Sequence, residues 1–245
     1  MTNRMRGFVS NILLLCLIPA ANLLGSENEK ESKVIIEWFG HAFFLLSGEI
    51  DIAIDPFKDF NGYPNPKVSA DVVLITHSHS DHNQPQVVEG EPEIIREYGE
   101  KNFKGLKING IKTFHDTEQG KKRGENTLFV IEMGGIRIAH CGDLGQILTD
   151  DQLEQIGHID VLMIPVGGYY TIDAQAAWEN VNKINPRIVI PMHYKQPFME
   201  EKNPLVGVER FLKDKKNVKR LEVNKLELSQ KDLPAGQTIY VLNYK

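Results

Sequence analysis

The sequence predicts an α/β or α+β fold with β-sheets at its centre and helices on the outside. Two observations carry this prediction. Short apolar segments separated by turn residues fill the N-terminal half, whereas strands alternate with helices in the C-terminal half. The 245 residues are 41% hydrophobic and 25% charged, a composition that is ordinary for one globular domain with a buried core.

The N-terminal half is predicted to form strands that Gly, Pro, Asn and Asp separate. The tripeptide Met133-Gly134-Gly135 is a hairpin signal between two of them. Asn109-Gly110 likewise predicts a break between two short strands within residues 106–113. The remaining strands are predicted at residues 34–39, 43–46, 50–54, 72–75, 127–132 and 136–140.

The C-terminal half is predicted to contain two helices with capping residues. Thr149 and Gln152 form a capping-box pattern, and Gly157 can close the helix that they open. Asp173 can cap a second helix that runs to about Lys183. Strands are predicted at residues 161–164 and 188–190, and residues 221–228 and 238–243 are predicted to form a terminal pair of strands.

A histidine-rich run at residues 76–82, Thr-His-Ser-His-Ser-Asp-His, follows one of the predicted strands. Imidazole and carboxylate groups are ligands that Zn²⁺, Mn²⁺ and Fe²⁺ accept. His77 and His79 are two positions apart, so an extended backbone points both to one side, while Asp81 and His82 can turn toward a second ion. A solvated His-rich turn is disfavoured because the chain has only 8 His in all.

Six His and Asp residues, including His77 of this run, share the same position relative to the predicted strands. Each of them comes at or shortly after the C-terminal end of a predicted strand, where α/β proteins build their sites. These residues are His41, Asp55, His77, His115, Asp143 and His193.

Residues 1–26 have the order of an export signal. Arg4 and Arg6 precede an uncharged apolar run at residues 8–24, and Gly25-Ser26 follows it. We therefore expect a signal peptide or N-terminal anchor at residues 1–26 and a folded domain at residues 33–245. The alternative to cleavage is an anchor, because about 17 apolar residues reach the lower limit of a membrane span. The protein is expected to be exported: periplasmic, secreted or membrane-anchored.

Composition also limits the partners of the chain. The formal net charge of −5 provides no basic surface for nucleic acid, so no nucleic-acid partner is expected. Membrane contact is expected only through the N-terminal segment, and no oligomeric state is predicted. The two cysteines are Cys16 and Cys141, so removal of the signal would leave no intramolecular disulfide.

The chain resembles the metallo-β-lactamase superfamily of metal-dependent hydrolases, and more closely a branch of small Zn-dependent hydrolases within it. It is more distantly similar to ascorbate-phosphate lactonases and lipid phosphodiesterases. The resemblance implies a four-layer αββα sandwich over residues 33–245. Besides the histidine-rich run, it is carried by the stretches at residues 55–57, 113–116, 123–127, 139–145, 165–168, 170–174 and 190–194.

Transferred residue by residue, the resemblance implies two divalent metal ions, with Zn²⁺ as the first expectation and Mn²⁺ or Fe²⁺ as alternatives. One ion would be held by His77, His79 and His115, and the other by Asp81, His82 and His193. Asp143 would bridge them. The branch often has His where this chain has Gln146, which affects a proton-transfer role there but not the metal site.

The predicted activity is hydrolysis of an ester, lactone or phosphodiester bond in a small-molecule or phosphodiester substrate by a metal-bound hydroxide. Asp81, Asp143 and His41 are the candidate catalytic residues; His41 would orient substrate or donate a proton, or else make only an outer hydrogen bond. One alternative is a mononuclear-iron redox enzyme of the same fold, such as a persulfide dioxygenase. Another is a metal-binding module without catalysis.

Several residues beside these candidates also have predicted roles. Asp55 and His140 are expected to hydrogen-bond the metal-binding histidines, because such histidines need an outer carboxylate or carbonyl partner. Cys141 is expected to be a buried core residue rather than an extra soft ligand. Pocket roles are open for Tyr169 and Tyr170, for the basic loop at residues 121–123 and for Lys195.

Overall fold

The structure is a computed structural model that describes residues 1–2 and 32–244. The predicted export segment, with Arg4, Arg6 and Cys16, lies outside the described residues and stays a prediction. The chain divides into two units, Met1–Lys30 and Glu31–Lys245, and every element below belongs to the second. Among the residues that the structure describes, no helix combines the length and the apolar character needed to cross a membrane.

Strands make up most of the regular secondary structure of the described chain. They are β1 Val34–Trp38, β2 Phe44–Ser47, β3 Ile52–Ile54, β4 Val68–Ser69, β5 Val72–Leu74, β6 Val88–Glu89, β7 Glu93–Ile95, β8 Gly99–Phe103, β9 Leu106–Phe114, β10 Glu125–Met133, β11 Ile136–His140, β12 Val161–Pro165, β13 Ile188–Met192, β14 Val218–Arg220, β15 Lys225–Leu228 and β16 Thr238–Val241. The helices are α1 Asp150–Ile156, α2 Ala174–Ile184 and α3 Glu209–Leu212, with 3₁₀ turns at Pro85–Val87 and Gln230–Asp232.

Two mixed sheets organise these strands. The first has six strands in the order β15-β1-β2-β3-β5-β7, and the second has eight in the order β14-β16-β13-β12-β11-β10-β9-β8. In the second sheet, β11 to β13 run parallel and β8 to β11 run antiparallel. Strands β4 and β6 form a separate parallel pair.

The main hydrophobic core contains side chains of both sheets. Ile52 and Ile54 of β3 belong to it, whereas Ala53 between them belongs to a second cluster with Phe57 and Val68. This alternation is the two-residue period of a strand with apolar groups on both faces. Strand β12 is buried along its whole length, as expected of a parallel strand covered on both faces. The predicted α+β sandwich is therefore confirmed.

The predicted helix caps are present. The Thr149 side chain accepts from the Gln152 backbone, and Gln152 returns a bond to the Thr149 backbone, before α1 ends at Gly157. Asp173 accepts hydrogen bonds from two backbone N–H groups at the start of α2. Local sequence determines both caps because their partners lie within three residues.

Two predictions about strands are wrong. Residues 106–114 form one continuous strand, in which Gly110 is paired within the sheet; a Cβ atom there would lie 2.7 Å from the Glu97 carbonyl oxygen. The glycine thus permits close backbone approach and makes no turn. The predicted terminal pair is not a pair either. Strand β15 adds to β1 in the first sheet, while β16 lies between β13 and β14 in the second.

Candidate metal centre

The predicted site residues meet at one edge of the two sheets, where the strands end. Asp55 follows β3 directly, His115 follows β9 and His193 follows β13. His41, Asp55 and His193 all have a positive φ, at 52°, 51° and 52°. His and Asp adopt this left-handed conformation more readily than most residues with a side chain, and it turns each chain sharply away from its strand.

The first cluster of potential ligand atoms comes from His77, His79 and His115. Their ligand atoms all lie within 4.8 Å of one another. His77 and His115 are buried, whereas His79 is exposed at the mouth of the site. This is the set of three that the resemblance implied for one ion.

The second cluster comes from His41, His82 and His193, whose ligand atoms also lie within 4.8 Å of one another. His41 Nε2 is 3.0 Å from His82 Nε2. The Asp81 carboxylate is beside them, with Oδ2 3.3 Å from His41 Nε2 and 3.9 Å from His82 Nε2. The structure therefore adds His41 to the predicted group of Asp81, His82 and His193. Its only sequence signal was a position close to the end of a strand.

The Asp143 carboxylate lies between the two clusters. Its Oδ2 is 3.1 Å from His115 Nε2 and 3.2 Å from His193 Nε2, and its Oδ1 is 3.3 Å from His82 Nε2. The Asp143 backbone N–H donates to Asn126 Oδ1, and a Cβ atom at the preceding Gly142 would overlap that oxygen. Glycine at position 142 thus lets the chain carry Asp143 into the centre.

These donors fit divalent metal ions. Two ligands of one tetrahedral ion with bonds of 2.0–2.1 Å are separated by roughly 3.3 Å. The contacts of the Asp143 oxygens with Nε2 of His82, His115 and His193, at 3.1–3.3 Å, have this spacing. His77 Nε2 and Asp143 Oδ1 are buried and have no hydrogen-bond partner, as expected of lone pairs that a cation would engage. Imidazole nitrogens with carboxylates suit Zn²⁺, Mn²⁺ and Fe²⁺ alike.

Asp55 fixes the tautomers of two histidines. His82 Nδ1 is 2.9 Å from Asp55 Oδ2, so it donates its proton there, and the neutral imidazole then presents Nε2 as a lone pair to the centre. Thr76 Oγ1 donates its single proton to the same carboxylate at 2.6 Å. His77 Nδ1, 3.0 Å from Thr76 Oγ1, must therefore act as a donor and also present Nε2 to the centre. The expected hydrogen-bonding role of Asp55 is present.

His140 acts differently from the prediction. Its Nε2 is 2.9 Å from the Ala42 carbonyl oxygen, and its Nδ1 accepts from the Gly142 N–H. It therefore fixes the backbone before Asp143 and contacts no candidate ligand through its ring nitrogens. Cys141 is fully buried, belongs to neither cluster, and burial raises the pKa of its thiol well above the ordinary value. This supports the interpretation of Cys141 as a core residue.

A cavity of about 360 Å³ opens onto the centre. Tyr170 lines it and Tyr169 does not, although both tyrosines are exposed. Lys195 holds the loop at residues 201–203 through two backbone carbonyls. The Gln146 side chain accepts from the Phe114 N–H beside His115, so it supports a strand end. Four other lining residues were not predicted from the sequence, because they lie in loops without a chemical motif: Phe60, Asn61, Asn203 and Leu205.

Electrostatics within the centre favour a bound cation. Burial would raise the pKa of Asp143, but His193 and His82 outweigh it and hold that pKa well below its ordinary value. Burial would lower the pKa of His82, yet the Asp143 and Asp55 carboxylates raise it well above the ordinary value. Without metal, His82 is thus protonated at neutral pH and supplies the positive charge that Asp143 requires.

We expect metal binding to expel this proton. A metal-binding imidazole must be neutral, so the apparent affinity should rise with pH until His82 is deprotonated and then level off. His77 should contribute no proton, because burial and the proximity of His82 lower its pKa to about 2. Calorimetric titration in buffers with different ionisation enthalpies should show release of about one proton at neutral pH. A heat that is identical in all buffers would contradict this protonation state.

Comparison with known proteins places the chain in a family. The model of the β-lactamase superfamily domain matches residues 35–193. A UPF0173 metal-dependent hydrolase of Thermoplasma acidophilum is 33% identical over 185 residues, which cover 65% of this chain and 82% of the relative. One from Archaeoglobus fulgidus is 30% identical over 202 residues, covering 69% and 87%.

A solved structure supports the same assignment. A proposed Zn-dependent hydrolase of the metallo-β-lactamase superfamily from Thermotoga maritima is 39% identical, with a TM-score of 0.73, and the match covers 86% of this chain and 100% of that one. The matched region contains every candidate ligand described above. The chain therefore belongs to the metallo-β-lactamase superfamily, as a metal-dependent hydrolase related to the UPF0173 proteins.

Proposed function

We propose that this hydrolase holds two divalent ions and cleaves an ester, lactone or phosphodiester bond. The observation that carries the proposal is the Asp143 carboxylate, which contacts histidines of both clusters through its two oxygens. His77, His79 and His115 would hold one ion, and Asp81, His82 and His193 the other. Zn²⁺ is the proposed metal, since the donor set accepts it and the Thermotoga maritima structure is described as a Zn-dependent hydrolase.

When bound, such a pair of ions supplies Lewis acidity and lowers the pKa of water to about 7. The side chains of the centre would position the ions, the water and the substrate. Asp143 would fix the separation of the two positions. Asp81 lies beside His41 and is partly exposed to the cavity, where it can orient a water.

His41 would act as a neutral imidazole. Burial and the neighbouring His193 lower its pKa to about 3, so it carries no proton to give as an imidazolium near neutral pH. Its Nε2 faces His82 Nε2 at 3.0 Å and its carbonyl oxygen accepts from the His193 N–H. We propose that His41 faces the second ion position and orients the groups around it.

We expect the reaction to be a direct hydrolysis. Within the described residues, the cavity lining contains no Ser or Cys that could form an acyl intermediate. The nucleophile would then be a water whose pKa the metal lowers to about 7. The rate of metal-loaded protein on chromogenic esters, lactones and phosphodiesters should rise with pH through this single ionisation. Mass spectrometry should find solvent ¹⁸O in the acid or phosphate product of a single turnover.

Three outcomes would contradict this function. A covalent intermediate trapped on the enzyme would show that a side chain is the nucleophile. Turnover that consumes O₂, together with one Fe per chain by elemental analysis, would favour the mononuclear-iron alternative. Protein that holds two ions but cleaves none of the three bond types would support the non-catalytic alternative.

A further inference from the structure

Arg123 places a guanidinium group at the cavity of the metal centre. The residue is half-buried and lines the same cavity as His79, His115 and Asp143. Its Nη2 donates to the Tyr169 carbonyl oxygen at 3.1 Å, and its Cζ lies 5.1 Å from the centroid of the Tyr170 ring. The side chain thus contacts a backbone carbonyl and an aromatic face, and both contacts favour this orientation of the guanidinium.

The loop that carries Arg123 is also fixed in place. One Asp116 carboxylate oxygen accepts from the backbone N–H groups of Glu118 and Gly120, and the other accepts from those of Lys122 and Arg123, at 2.7–2.9 Å. Asp116 directly follows the candidate ligand His115. This carboxylate therefore fixes the position of Arg123 relative to the metal centre.

The charge of Arg123 has no ion-pair partner among the described residues. Over the described part of the chain, no Asp or Glu forms an ion pair with it, whereas its neighbour Lys122 is paired with Glu118. A guanidinium has five N–H donors, and the contact with Tyr169 uses one. The carboxylates nearest to the centre, Asp81 and Asp143, are occupied by His41 and by the histidines around the proposed ions. An anionic ligand could therefore accept hydrogen bonds from the remaining N–H donors of Arg123 and balance its charge.

We propose that the substrate carries a carboxylate or phosphate group which Arg123 binds while the scissile bond lies at the metal centre. The inference rests on the proposed function and narrows its substrate class to small anionic molecules. A guanidinium fork binds either group through two parallel hydrogen bonds, and stacking on an aromatic ring leaves its N–H edges accessible. A cavity of about 360 Å³ accommodates a molecule of this size.

Three 4-nitrophenyl esters with one common scissile bond test the proposal. They carry, four carbons from the ester carbonyl, a carboxylate, a phosphonate or the methyl ester of the carboxylate. The wild-type protein should prefer one or both anionic esters over the neutral one in kcat/KM, and the preferred anion distinguishes the two chemistries. Arg123→Gln should reduce that preference about 10- to 100-fold, mainly through KM, the range for one charged hydrogen-bonding partner. Hydrolysis of the neutral ester should change less than about twofold.

Lys122→Gln is the matched control, because it removes the same charge from the adjacent, ion-paired residue. It should leave the kcat/KM values of all three esters unchanged. Arg123→Lys should keep part of the preference, since it retains charge without the fork. An equal loss on all three esters in Arg123→Gln would assign a merely structural role to Arg123. A wild-type enzyme that cleaves the neutral ester equally well would overturn the proposal and leave the hydrolase function intact.

If the metal-loaded protein cleaves none of the esters, hydrolysis of such esters is not its function. The role of Arg123 is then tested by measuring the binding of an anion. Calorimetry with adipate and with its dimethyl ester then provides the comparison. Binding of adipate that Arg123→Gln weakens at least tenfold would support the anion site. Equal binding by the wild-type protein and the variant would refute it.

Discussion

Replacement of Asp143 by Asn is expected to remove metal and activity together. Asn keeps the size of the side chain, but it replaces a charged oxygen with an NH₂ group that cannot bind a cation. In the wild-type protein the two carboxylate oxygens contact His115, His193 and His82. The variant should lose at least one ion per chain, and its rate should fall by roughly 10³-fold or more, beyond the 10- to 100-fold typical of outer partners of a metal site. Elemental analysis and steady-state rates measure both effects.

Two companion variants separate ligands from neighbours. His79→Ala should also lose metal and activity, although His79 is exposed and its removal leaves the core intact. Cys141→Ala, two residues before Asp143, should keep both nearly unchanged at a stability cost of about 1 kcal/mol. Thermal melts would verify that each variant is folded. Loss of an ion from the Cys141 variant would show that the thiol is a ligand after all.

The second large effect is expected from Asp55→Asn, because one carboxylate fixes the tautomers of two histidines. One oxygen of the carboxylate accepts from the Thr76 backbone N–H, and the other accepts from His82 Nδ1 and Thr76 Oγ1. The backbone N–H can only donate, so the amide oxygen should stay with it and the NH₂ group should face His82 and the Thr76 hydroxyl. A proton would then move to Nε2 of His82, and Thr76 would turn its proton toward His77. Each altered histidine should reduce metal affinity about 10- to 100-fold, so the variant should lose about 100-fold or more.

Thr76→Val provides the matched comparison for Asp55→Asn. It removes only the hydroxyl that connects Asp55 to His77 and leaves the bond to His82 in place. Its effect on metal affinity should therefore be about 10- to 100-fold, smaller than that of Asp55→Asn. Competition with a chromogenic chelator measures both affinities. Equal affinities for Asp55→Asn and the wild-type protein would show that the tautomers are not determined in this way.

The sequence predicted those parts of the fold and site that depend on neighbouring residues. The caps of both longer helices and the run containing His77 and His79 are local patterns, and the structure contains them as expected. Partner choice among strands is not local. The apolar alternation in residues 225–228 shows a buried face, but it does not show that β1 is the neighbour.

The same distinction applies to the centre. His115, Asp143 and His193 were identified through the resemblance, because nothing in their spacing places them beside the histidine-rich run. The place of His41 in the second cluster could not be predicted from local sequence, because it depends on tertiary structure. The backbone of His41 has a φ of 52°, and its carbonyl contacts His193 from a separate chain segment. The residues that line the cavity from loops, such as Phe60 and Leu205, have no periodicity to reveal them.

The left-handed backbone at His41, Asp55 and His193 also affects how this enzyme can be altered. A residue with a Cβ atom in this conformation is disfavoured by about 1–2 kcal/mol, a penalty that glycine avoids. Glycine would relieve this backbone strain, but it would also remove the imidazole or carboxylate that the centre requires. Laboratory evolution of a more heat-stable variant should keep these three residues unchanged. Stabilising substitutions should be sought in segments remote from the metal centre.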